Sequence, residues 1–238
     1  MNNWNPLSNN YLRILAVLLG LSTYQTHAQS VSSPPDQSVR PLPENSEWTI
    51  AVKALEPDKT NPGAQLKEIR GQRTASLRQD IYDYGDSTTE RWIAGNFLLE
   101  TFSGQNSVVP TPYPKNSPKL KTLLSSFPEL DWVSPAHYQG IEVRDKVECR
   151  FYKRTIVVKP EIDGEIRSAV AAGKIEMPAD IIYSYKAWID PETNWPVAFE
   201  GLGFHYDYKI SVPENKITLS LPNRFLQAAR QIDPNFSP

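Results

Sequence analysis

Between Gly140 and Phe151 the chain repeats with a period of two. Ile141, Val143, Val147, Cys149 and Phe151 are apolar, while Glu142, Arg144, Lys146, Glu148 and Arg150 are charged. Only a β-strand turns successive side chains to opposite sides. The run therefore predicts two antiparallel arms with one buried and one wet face, joined by a turn at Arg144-Asp145-Lys146. Twenty-one prolines against eleven glycines, with eleven tyrosines and six tryptophans, also suit strands with stiff connections better than a helical bundle. The chain reads as mainly β, of α+β type.

Other strands follow from similar signals. Leu66 to Tyr84 is polar but β-prone, and a turn cluster from Gly85 to Glu90 leads into the aromatic and aliphatic run Arg91 to Thr101. Together these predict one long antiparallel hairpin. Val108 to Pro118, "VVPTPYPKNSP", reads as a stiff surface connection, with a proline-rich docking peptide as the alternative. Ile181 to Asp190 carries bulky groups on both strand faces, Tyr183, Tyr185 and Ile189 on one and Ile182 and Trp188 on the other. A sheet with one face in solvent has no need of that. Asp190 to Asn194 is turn chemistry, and the return strand begins at Trp195-Pro196. Lys209 to Leu221 adds strand material.

Three helices are predicted. Ser117 as N-cap with Pro118 at the first position opens one whose Leu120, Leu123, Leu124 and Phe127 share a face before Pro128 ends it. Asp163 and Gly173 bracket a second, and Asn223 to Ile232 repeats Phe225, Leu226, Ala229 and Ile232 at helical spacing.

At the N-terminus Arg13 precedes the apolar run Ile14 to Leu21, and Thr26-His27-Ala28 offers small residues at −3 and −1. This pattern predicts a signal peptide, residues 1–28, cleaved after Ala28; the apolar run falls well short of the roughly 20 residues that span a bilayer. A flexible Ser/Pro/Gln-rich leader over 29–47, a single domain over 48–232 and a tail over 233–238 complete the expected organisation. The protein is then periplasmic or secreted, with no membrane span after cleavage.

A formal charge of −2 with interspersed signs gives no field for nucleic acid. Cys149 stands alone, so no intrachain disulfide exists, and its strand position predicts a buried thiol rather than a nucleophile. His137 and His205 share no metal-type spacing, and no nucleophile elbow or phosphate-binding loop occurs. Asp80, Asp83, Asp86 and Glu90 form the densest acidic group, read as a solvated turn rather than a calcium loop. The sequence names no catalytic residue, metal ligand or cofactor; whether any catalysis occurs stays open, with a non-enzyme favoured.

Trp188, Ile189-Asp190-Pro191, Thr193 and Pro196-Val197, with the late segment "KITLSLPNRF" from Lys216 to Phe225, resemble the hairpin of the LolA-like superfamily of periplasmic lipoprotein carriers and related envelope proteins. The resemblance implies a curved antiparallel half-barrel with a few short helices packed on or in its concave face. It also implies a non-catalytic envelope protein that binds a lipid or lipoprotein acyl chain, with Trp92, Trp188, Phe204 and Tyr185 as candidate ligand-binding residues. Two alternatives stay open: the same aromatic residues serve as ordinary core, or they form platforms in an extracellular carbohydrate-active or carbohydrate-binding protein.

Overall fold

In a computed structural model of the protein, eleven strands among the described residues run antiparallel in one open sheet, in the order β6-β5-β4-β3-β2-β1-β11-β10-β9-β8-β7. The strands are β1 (Ser46–Ala54), β2 (Glu68–Arg73), β3 (Leu77–Asp83), β4 (Thr88–Ala94), β5 (Phe97–Thr101), β6 (Val108–Pro112), β7 (Tyr138–Arg144), β8 (Val147–Val158), β9 (Ile181–Ile189), β10 (Pro196–Gly201) and β11 (Phe204–Ser211). Among the described residues three short α-helices accompany them, α1 (Pro118–Ser125), α2 (Gly164–Ala171) and α3 (Asn223–Ile232). The structure describes residues 39–55, 65–102, 107–144, 146–160, 164–174, 176–177 and 179–238. The predicted signal peptide, most of the leader and the Asp163 cap lie outside them.

Each β1 residue alternates in burial. Trp48, Ile50 and Val52 are buried on what we call the front face, while Glu47, Thr49 and Ala51 point to the back. Pairing carries this assignment across the sheet, because directly opposed residues share a face. Tyr208 opposes Ile50, Ile69 also opposes Ile50, and Phe199 opposes Tyr206. On the front these residues pack beneath Phe127, Leu130 and Val133, which follow α1. On the back, Leu77, Trp92, Ala94, Phe97 and Leu99 pack beneath Phe225 and Ala229 of α3 and beneath Phe236. The sheet thus holds two cores on opposite sides.

Several expectations need correction. The single long hairpin over 66–101 is four strands, because the chain reverses between Arg73 and Leu77 and again at Gly95-Asn96, where Gly95 takes φ +54°. The proline-rich stretch starts as an edge strand, β6, where the missing N–H groups of Pro110 and Pro112 cost least. Residues 216–222 form no strand.

The alternating arms of β7 and β8 do not share one buried face. Arg144 pairs with Val147 and Ile141 with Arg150, so odd positions of one arm oppose even positions of the other. Ile141 and Val143 consequently stand on the opposite side from Val147, Cys149 and Phe151. Ile141, Val143 and Val147 are exposed, and only Cys149 is fully buried, against Trp188 and Ala198.

Local chemistry explains the elements that were read correctly. Asp190 shapes its turn by accepting from the Glu192 N–H (2.8 Å) and the Thr193 hydroxyl (2.8 Å), and Asn194 takes φ +62°. Ser117 occupies the N-cap of α1 with Pro118 at the first helical position, although its hydroxyl makes no capping bond. The C-terminal end of α1 is held instead by Arg78, whose Nη1 donates to the Leu123 and Ser126 carbonyls at 2.8 and 2.6 Å. Leu42 is buried in the front core, and Phe236 stacks edge-on with Phe97 at 5.1 Å. Residues from both the leader and the tail therefore contribute to the packing.

Candidate functional site

Across the middle of the sheet, on the back face, no described helix contributes to the lining. There Glu47 and Thr49 of β1, Arg70 and Gln72 of β2, Gln79 and Ile81 of β3, and Lys209 and Ser211 of β11 line a cleft of about 790 Å³. Its far wall is the β9–β10 turn with Trp195, Pro196 and Val197. The turn is anchored from outside the hairpin: Arg150 of β8 donates to Asn194 and to the Asp190 carbonyl, and the Arg40 N–H donates to the Asn194 carbonyl at 2.9 Å. The Trp195 indole N–H is buried without a hydrogen-bond partner. A buried donor left unpaired costs about 1–3 kcal/mol.

A charged network lies further along the same face. His205 Nδ1 lies 3.2 Å from Glu200 Oε1, and its Nε2 lies 2.8 Å from Asp207 Oδ1 and 2.7 Å from Arg144 Nη2. Lys186 pairs with Glu200 at 2.9 Å and Lys53 with Asp207 at 3.1 Å. Burial disfavours the charge on Glu200, but the hydrogen bond and charge of Lys186, then those of His205, outweigh it and hold the carboxyl below its usual range. Asp207 is held low in the same way, burial being overcome by His205 and Lys53. Arg144 also lies over the Trp188 ring at 4.3 Å, and the Trp188 indole N–H donates to Glu142 at 2.8 Å.

This network contains no nucleophile, and the Arg144 Nε in it is buried without a hydrogen-bond partner. The two carboxylates approach opposite nitrogens of the ring, so they do not surround a common point. Among the described residues no group of three His, Cys, Asp or Glu side chains is placed to hold a metal ion. Cys149 is buried, and its thiol donates to the Val147 carbonyl at 3.6 Å.

A second polar group sits inside the front core. The Arg78 guanidinium and Asp80 carboxylate pair through two contacts of 2.8 and 3.1 Å, and Arg78 also lies over the Trp48 ring at 4.7 Å. Glu129 accepts from the Tyr208 hydroxyl at 2.7 Å, and burial raises its carboxyl above the ordinary range despite that bond.

The sequence-derived candidates do not converge. Trp92 and Trp188 stand on the back face in separate clusters, Trp92 against Phe225 of α3 and Trp188 stacked on Phe151 at 5.2 Å. Tyr185 and Phe204 stand on the front face in its core. None of the four lines the cleft. Asp80 points forward while Asp83 and Glu90 point back, and Glu90 is taken up by Trp92 Nε1, Gln79 and Arg224. The sequence reading passed over the cleft residues. Trp195 was visible as an aromatic next to a turn, but nothing local marks Gln72 or Gln79 as cleft rather than open surface.

No protein-family model matches the chain, and no curated protein matches it. Among solved structures it is similar to the "Crystal structure of LprF from Mycobacterium bovis", at 9% identity over 76% of this chain and 90% of that chain, with a TM-score of 0.29.

Proposed function

We propose that the protein is an exported, non-catalytic binding protein of the cell envelope whose ligand is an acylated amphiphile, a lipid or a lipoprotein acyl chain, held in the back-face cleft. The observation that carries this reading is the cleft itself: about 790 Å³, within the range of small-molecule sites, with Trp195 on one wall and basic side chains on others. Trp195, Val197 and Ile81 supply apolar surface for the chain; Arg70, Lys209 and Gln72 supply donors for a carboxylate, ester or phosphate head. On the front face Phe127, Leu130 and Val133 pack over the sheet. Each buried methylene contributes about 0.8 kcal/mol, so a handful offsets part of the cost of ordering the chain.

Gentle purification followed by native mass spectrometry tests for carried lipid, and titration with a fluorescent fatty acid compares wild type with Trp195→Ala. Carried lipid, or probe binding weakened by about ten-fold or more in Trp195→Ala, supports the reading. Absence of both overturns it. The second reading, a carbohydrate binder, is favoured by the hydrogen-bonding side chains Glu47, Gln72 and Gln79 beside Trp195. It predicts that oligosaccharides change the tryptophan fluorescence while fatty acids do not, and that Trp195→Phe removes the change.

A further inference from the structure

His205 sits at the centre of the back-face charged network, and its Nε2 faces two partners that it cannot satisfy together. Asp207 Oδ1, 2.8 Å away, only accepts a hydrogen bond, whereas Arg144 Nη2, 2.7 Å away, only donates one. A single ring nitrogen serves one of them at a time. Without a proton Nε2 accepts from Arg144, whose Nη2 also stands 3.8 Å from Asp207. With a proton it donates to Asp207 and turns the guanidinium away.

The groups around the ring leave a displaced guanidinium no substitute. Glu200 of β10 and Lys53 of β1 oppose His205 directly, Lys186 of β9 opposes Glu200, and Lys153 of β8 opposes Lys186. Glu200 holds His205 through Oε1 and Lys186 through Oε2, while Asp207 holds His205 through Oδ1 and Lys53 through Oδ2. Every oxygen of the two carboxylates is engaged. Arg144 Nε is buried without a partner, and Glu142 on the same strand is taken by the Trp188 indole. A protonated imidazole also joins three cations, Arg144, Lys186 and Lys53, around those two carboxylates. Like-charge repulsion then acts on Arg144, the cation that holds no carboxylate oxygen closer than 3.8 Å.

We propose that His205 is a proton-operated latch: neutral, it holds Arg144 of β7 against β11, and protonated, it closes on Glu200 and Asp207 and releases Arg144 from its place over the Trp188 ring. Histidine is the side chain whose charge changes between about pH 5 and 8, so mild acidification is the trigger. In sheet order β8, β9 and β10 lie between the two strands that the latch joins. Release therefore removes a tie that crosses three strands. The guanidinium stands 4.3 Å over the Trp188 ring, so the indole reports which arrangement is present.

NMR tests this by following the His205 imidazole and the Trp188 indole N–H from pH 8 down to about pH 5.5, above the ordinary carboxylate range. In wild type the two resonances should move together with one midpoint. In His205→Gln, whose amide serves both partners without titrating, the Trp188 resonance should stay fixed. In His205→Lys, a permanent cation, it should stand at pH 8 where wild type stands at pH 5.5. Arg144→Met should move the imidazole midpoint to higher pH, because protonation no longer displaces a guanidinium and the coupling is reciprocal. Circular dichroism checks the fold of each variant, and should a His205 variant not fold, the wild-type and Arg144→Met titrations decide. A Trp188 resonance that ignores the His205 titration overturns the proposal. So does one that moves equally in His205→Gln, or an imidazole midpoint that Arg144→Met leaves unchanged or lowers.

Discussion

The front and back cores pack against the same sheet but are built differently. The front core is covered by Phe127, Leu130 and Val133, from a segment between β6 and β7, and encloses the Arg78–Asp80 pair and Glu129. The back core is covered by α3 and Phe236 from the C-terminal end, and encloses no ion pair like Arg78–Asp80 among its described buried residues. Strands β3 and β4 serve both, with Arg78, Asp80 and Ile93 forward and Leu77, Trp92 and Ala94 back. One core is specified by polar pairing, the other by shape. Their responses to perturbation should differ accordingly.

The largest effect is expected at Arg78. Its side chain is about 5% exposed, pairs with Asp80, bonds two carbonyls at the end of α1 and lies over Trp48. Arg78→Met leaves the Asp80 carboxylate buried and unpaired, which costs about 4 kcal/mol in the usual range for such pairs. Urea unfolding measures it. A loss below about 1 kcal/mol would show that the polar pair does not organise the front core.

Phe127→Ala in the front core and Phe225→Ala in the back core should each cost about 3–4 kcal/mol, since both rings are buried and the cavities are walled by other aromatics. If the cores are as separate as their contacts suggest, the double variant should lose the sum within about 0.5 kcal/mol. A clear departure from additivity would mean that β3 and β4 transmit strain from one face to the other.

Gly71→Ala sharpens the view of the front core alone. A Cβ at Gly71 would run into the indole of Trp48, the residue that Arg78 covers. The ring must move, at a cost of about 1–3 kcal/mol. Thermal unfolding should show a lower Tm, and fluorescence a changed Trp48 environment; an unchanged Tm would mean that the indole has room to shift.

The same contrast explains what was legible in the sequence. The β9–β10 hairpin could be read because Asp190 and Thr193 make their turn from their own side chains, and α3 because Phe225 and Ala229 keep helical spacing on one covered face. The class, a mainly antiparallel sheet with a few helices, followed from such local signals. The two-sided burial did not: Arg78 and Asp80 look like a wet face until the segment after α1 closes over them, and Leu77 and Trp92 look like the core-facing side of that same strand pair. The cleft was hidden for a related reason, since Gln72 and Gln79 gain meaning only when β1, β2 and β3 lie beside the turn at Trp195. Register was hidden as well, because a shift of one position at the Arg144–Val147 turn decides which face Ile141 occupies.

The smallest effects separate the two faces by the sign of their pH dependence. Glu129, in the front core, has its carboxyl raised by burial, so between its unfolded and folded values the folded state holds a proton that the unfolded state has lost. Stability from this group is present at acidic pH and lost as pH rises through the raised value. Asp131 beside it, pushed up to about 6 by burial and then by Glu129, acts in the same sense over roughly pH 4 to 6, though its exposed side chain weakens the effect. Glu200 and Asp207 on the back face are held low, so their contribution is present above the ordinary carboxylate range and lost as pH falls through their folded values. Glu129→Gln keeps an acceptor for Tyr208 and should flatten the decline toward neutral pH. Glu200→Gln should instead flatten the fall in stability below about pH 4.5, the ordinary glutamate range. Each slope is at most about 1.4 kcal/mol per pH unit for one proton, and the partly exposed pairs at Glu200 and Asp207 should give less. Urea midpoints at several pH values compare the two variants. If both shift the profile in the same direction, the opposed environments of the two faces are wrong.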